Sequence, residues 1–104
     1  MLILRCKSAK AELFINWNNY LGSEAVVTSR VGTAAASQRQ WGLSTDEKAA
    51  FYPRNPAQLI EELTRVDRFV AQVTPYNESP VTPSFDVTGL ADAAVPFFET
   101  CKPQ

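Results

Sequence analysis

Two cysteines, one at each end of the chain, constrain this sequence more than any other feature. Cys6 and Cys101 bracket almost the whole of a 104-residue chain that contains no histidine. Two thiols without an imidazole cannot assemble a four-ligand thiolate or thiolate–imidazole zinc site. Paired with each other, they would tie the opening strand to the end of the last helix. In the chain-entropy picture, closing a loop of that size removes about 4 to 5 kcal/mol of freedom from the unfolded state. The alternative is two buried free thiols, because cysteine also packs well as a small apolar residue. Disulfides persist mainly outside the cytosol, so a Cys6–Cys101 bridge implies a periplasmic or secreted protein. The opening MLILRCKSAK has only Leu2, Ile3 and Leu4 between Met1 and Arg5, too short an apolar core for an export signal, which is expected to be absent from this sequence.

The chain is expected to be a single domain, 1–104, with one core. Hydrophobic residues at 45% and charged residues at 20% are the balance of a folding chain rather than a disordered one. Lys and Arg number 10 against 11 Asp and Glu, and the cations are scattered from Arg5 to Lys102. Nucleic-acid binding needs clustered cations to neutralise phosphates, so that class is excluded. A membrane-spanning helix is excluded too, since nothing approaches the roughly 18 to 20 apolar residues it requires.

Periodicity places the elements. Leu2, Leu4 and Cys6 alternate with Ile3, Arg5 and Lys7, putting Cys6 on the apolar face of a first strand. After a turn at 8–10, ELFINW (12–17) completes a hairpin, and NNYLGS (18–23) breaks it. Strands are predicted at 24–32, 38–45 and 48–53, with Gly42 marking a bulge and Pro53 ending the last. In the fourth strand Arg39, Trp41 and Leu43 share a face, which makes Trp41 a core residue with a cation alongside. Asn55, Pro56 and Gln58 form a helix start, and the spacing predicts a helix from 56 to about 65 with Glu61 and Arg65 paired on its wet side. RFVAQVTP (68–75) is a sixth strand. PVTPSFDVT (80–88) is a seventh, at a sheet edge because Pro83 cannot donate to a ladder. Thr88 is expected to cap a final helix whose stripe Leu90, Ala94, Phe97 and Cys101 faces the sheet, kinked at Pro96. About seven strands and two helices joined by short connections predict an α+β domain, mainly an antiparallel sheet of sandwich or half-barrel form, with the C-terminal helix packed on it.

The segments LILRC (2–6), ELFINW (12–17), RQWGLSTDEKAAFYP (39–53), RFVAQVTPY (68–76) and FDVTGLADAAVPFFETC (85–101) resemble the VasI family of type VI secretion-associated proteins, and related uncharacterised phage and prophage proteins. The resemblance covers nearly the whole chain. Its most specific part is an early ArgCys combined with a late PheAsp, Gly, Leu and terminal Cys. It implies an accessory extracytoplasmic role with a protein partner, and no catalytic residue. Members of this kind carry a leading signal and a further N-terminal segment that these residues do not include.

Without histidine the Ser-His-Asp and Cys-His arrangements are closed, and an enzyme would depend on carboxylates or lysine. Glu61 with Glu62 and Asp46 with Glu47 are read as solvated surface charges, and Asp86 as a helix-capping group. The glycines are isolated, so no phosphate loop exists, and no cofactor or metal is expected. The aromatic residues are the strongest hint of function: Trp17 and Tyr20 lie among three asparagines, with Tyr52 and Tyr76 at strand ends, and together they would form a binding patch for a sugar ring or a protein surface. Against this, Trp17 is in phase with Leu13 and Ile15 and reads better as the last core residue of its strand. The expectation is therefore a non-enzymatic interaction domain. A small cell-envelope glycan-binding module is the alternative, and a carboxylate-dependent hydrolase a remote one.

Overall fold

The computed structural model describes residues 1–101, so Lys102 lies outside the described residues. The elements run β1 (Leu2–Lys7), β2 (Lys10–Asn16), β3 (Ala25–Val31), β4 (Ser37–Leu43), β5 (Ala49–Phe51), α1 (Pro56–Leu63), β6 (Arg68–Gln72), β7 (Ser84–Asp86) and α2 (Leu90–Thr100). The strands form one seven-stranded sheet in the order β1-β2-β5-β4-β3-β6-β7, antiparallel throughout. The predicted α+β class with seven strands and two helices is what the chain adopts. The sheet is single and open, neither a two-sheet sandwich nor a closed barrel.

Local chemistry explains the boundaries. The first turn narrows to Ser8 and Ala9, both at positive φ, with Lys7 paired to Lys10 across the ladder. Positive φ at both central residues gives the twist that a two-residue hairpin requires. β7 is short because Pro80 and Pro83 lack the N–H a ladder needs. Only the Val73–Val81 bridge precedes it, and β7 lies at a sheet edge as expected. Gly42 is not in a bulge: it stands opposite Phe51 in the β4–β5 ladder. Asn55 caps α1, its side-chain oxygen accepting from the Gln58 N–H at 3.2 Å. The cap of α2 differs from expectation. It is Gly89, at φ 85°, and no side chain caps it. Thr88 instead donates its N–H to Asp86 Oδ1 at 2.9 Å, so Asp86 shapes the turn before the helix.

One face of the sheet carries the core. Leu13, Ile15, Ala25, Val27, Trp41, Ala50, Phe69, Ala71 and Val73 pack against Leu59, Ile60 and Leu63 of α1 and Ala94 of α2. α1 lies beside α2. Cys101, fully buried, is disulfide-bonded to Cys6 with their Cα atoms 5.5 Å apart. The last helix is thereby anchored to the edge strand β1. On the opposite face Phe14 stacks on Phe51 at 4.7 Å, and the Arg5 guanidinium lies over both rings while pairing with Glu12 at 2.7 Å. The cation held by aromatic rings is therefore Arg5; Trp41 packs edge-on against Tyr52 at 5.4 Å.

Candidate functional site

The loop after β2 carries the expected patch, and backbone bonds fix it on both sides. Trp17 donates its N–H to the Lys48 carbonyl at 2.9 Å, and Leu21 donates to that of Glu47 at 2.8 Å, so the β4–β5 turn clamps the loop. Tyr76 donates its N–H to the Tyr20 carbonyl at 3.0 Å, bringing in the segment after β6. Asn18 reaches φ 58°, a conformation asparagine tolerates, and its N–H is held by the Asn16 side chain at 2.9 Å.

The four aromatic residues of the expected patch divide into three environments. Trp17 is 7% exposed and belongs to the core, where its phase with Leu13 and Ile15 directs it; its Nε1 has no hydrogen-bond partner among the described residues. Tyr52 is half-buried against Trp41, away from the loop. Tyr20 and Tyr76, 50% and 61% exposed, meet edge-to-face with ring centroids 5.8 Å apart. The patch is therefore a pair of tyrosines. Glu47, expected as a solvated surface charge, is instead half-buried in the β4–β5 turn that clamps this loop, and completes the patch. Its carboxylate lies beside the Tyr20 hydroxyl and, by its charge and then by hydrogen bonding, holds that phenol above its ordinary value of 10.0. Carboxylate Oε2 of Glu47 is buried with no hydrogen-bond partner among the described residues.

Next to Tyr76 the outer sheet face hollows into a groove of about 360 Å³, floored by Val26, Thr28, Gln38 and Gln72 and walled by Glu24. Alternation along β3, β4 and β6 puts these side chains on the face away from the helices. The exposed Tyr76 ring on a shallow polar groove suits an apolar ligand face with hydroxyl or amide groups along its rim.

A second cleft, of about 570 Å³, opens on the helix side between β4, the start of α1 and the chain after β5, with Arg39, Tyr52, Arg54, Gln58 and Glu62 on its walls. A third, more apolar, of about 560 Å³, lies between β1 and the turn before α2, with Asp86 at its rim. Each of these hollows holds one carboxylate: Glu24, Glu62 or Asp86. Glu61 is engaged by Arg65 at 2.9 Å, and Asp46 by the Ser44 hydroxyl at 2.7 Å and the Lys48 N–H at 3.0 Å. Among the described residues no group of three or more Cys, Asp or Glu is placed to hold a metal ion, and no helix is long and apolar enough to cross a membrane. No protein-family model, curated protein or solved structure matches the chain.

Proposed function

We propose that this chain is a non-enzymatic accessory domain working outside the cytoplasm, in the periplasm or after secretion, and that it binds a protein partner through the Tyr20–Tyr76 edge. The observation that carries this reading is the tyrosine pair, half exposed, in mutual contact and held on a clamped loop. Tyrosine supplies a large amphipathic contact at low entropic cost, which is why it recurs at the centres of interfaces. The Cys6–Cys101 bridge supports an oxidising compartment. The accessory role is the one that the resemblance of the sequence to VasI-like and phage proteins implies. The absence of histidine and the single carboxylate in each hollow support a non-catalytic reading over a carboxylate-dependent hydrolase.

Affinity capture from the host envelope tests this, using the oxidised protein and its Tyr20→Ala/Tyr76→Ala variant as baits. A defined partner retained by the parent, and held at least about tenfold more weakly by the variant, is the expected result. Capture unaffected by loss of both rings would remove the tyrosine edge from the function. The groove beside Tyr76, with its glutamine and threonine floor, favours one second reading, a cell-envelope glycan stacked on the tyrosine. Glycan arrays distinguish the two, because only this reading predicts a ring-dependent signal without protein.

A further inference from the structure

The cleft on the helix side has an origin in the strand register. β4 pairs with β3 over Ser37–Trp41 but with β5 only at Gly42 and Leu43. Continuing the Gly42–Phe51 and Leu43–Ala50 register sets Tyr52 opposite Trp41, Pro53 opposite Gln40 and Arg54 opposite Arg39. The first of these is met as a ring contact at 5.4 Å. The ladder then stops, because Pro53 has no N–H to give. The chains part, and both arginines line the 570 Å³ cleft on one side of the gap and a smaller hollow of about 370 Å³ on the other.

Among the described residues the ion pairs are Arg5–Glu12 and Arg65–Glu61, and Arg39 and Arg54 make no ion pair or side-chain hydrogen bond. Arg39 is half-buried, on the same strand face as the buried Trp41. Arg39, half-buried, and Arg54 line the same cleft, and an oxyanion bound there would meet both cations. Planar guanidinium forks match a carboxylate in paired hydrogen bonds. Glu62 stands on the same wall, so two cations face one anion, a balance suited to a monoanion rather than a phosphate dianion. Tyr52, Asn55 and Gln58 add hydroxyl and amide groups around the cleft, whose size lies within the range of small-ligand sites.

We propose that Arg39 and Arg54 form a binding site for a carboxylate-bearing small ligand, of the size of a sugar acid or a dipeptide, in the gap where β4 and β5 separate. The site lies on the sheet face opposite the Gln38 groove and does not depend on the tyrosine edge. A sugar acid and a peptide C-terminus share the recognised carboxylate, and the arms of the test separate them. The oxidised full chain is titrated with sodium glucuronate, N-acetyl-alanyl-alanine, inorganic phosphate and uncharged methyl glucoside, following backbone and arginine Nε resonances by NMR. Saturable shifts at residues 37–40 and 54–58 with one or both carboxylates, and weaker or no response to the other two compounds, are expected. Arg54→Gln, at an exposed position, should weaken binding at least about tenfold. Arg39→Lys, which keeps the charge and loses the fork, should fall between. Absence of saturable shifts with both carboxylates, a stronger response to phosphate, or binding unchanged in Arg54→Gln would overturn the proposal.

Discussion

At Gly32 the backbone sits at φ 57°, and a Cβ built there would lie 2.8 Å from Val66 Cγ1 and 3.1 Å from Val66 Cβ. Gly32→Ala therefore combines left-handed strain with a clash against a stiff branched side chain, and should cost about 2 kcal/mol in chemical unfolding. Gly42 is the contrast: a Cβ there meets nothing within 4 Å. Gly42→Ala should be neutral or gain about 0.5 to 1 kcal/mol, as expected for a strand-interior glycine in ordinary backbone. The sequence shows both as isolated glycines, and only the tertiary structure separates them. Asp46 makes a pH prediction. The Ser44 hydroxyl, then the Lys48 N–H, hold its carboxyl below the ordinary 3.8, and Asp86 is lowered likewise by the Thr88 hydroxyl and N–H. For a lowered carboxyl the stabilisation is fully present above the unfolded-state value and is lost as pH falls through the folded-state value. Stability should thus decline from about the ordinary aspartate range downward, and Asp46→Asn should flatten part of that decline in urea titrations run at successive acidic pH values. Among the aromatic residues, the burial of Trp17 was readable from its phase with Leu13 and Ile15. The meeting of Tyr20 with Tyr76 was not, because 55 positions of intervening chain must fold before the rings touch.

Elements were more legible than residues. Alternation located β1, β4 and β6, strand-type composition and turn residues located the others, with β5 and β7 shorter than expected, and the Asn55-Pro56 start located α1, because these signals are local and act within a few residues. The errors fell at ends where local signals compete. Thr88 has the chemistry of an N-cap, yet Asp86 takes its N–H, and the left-handed Gly89 begins α2 instead. Within α2, Pro96 interrupts the hydrogen-bond ladder while the helix continues to Thr100. Its side is exposed, so Pro96→Ala should restore one backbone bond without disturbing the core. A gain of up to about 3 kcal/mol in denaturant unfolding is expected, the upper figure being the intrinsic cost of an interior proline. No gain would show that the surrounding structure already absorbs the ring.

Across the whole molecule the Cys6–Cys101 bridge joins the sheet edge to the last helix over a separation of 95 residues. Replacing either cysteine by serine, or unfolding under reducing conditions, should lower stability by about 4 to 5 kcal/mol in the chain-entropy limit, seen as a shift of the denaturant midpoint relative to the oxidised parent. A small shift would mean that the reduced chain remains compact enough for the staple to constrain little. Pairing between the two cysteines was open to inference from their placement alone, as were the mainly antiparallel sheet and the edge position of the Pro83 segment, since proline chemistry and side-chain alternation are written into the chain itself. Strand order was not: β5 inserts beside β2, and β6 crosses over α1 to reach β3, choices made by how the apolar faces share one core. The tyrosine edge and the gap between Arg39 and Arg54 were likewise decided only by the tertiary structure. Each depends on register between segments distant in sequence, and register is fixed when the buried faces close against the helices, beyond the reach of any local pattern.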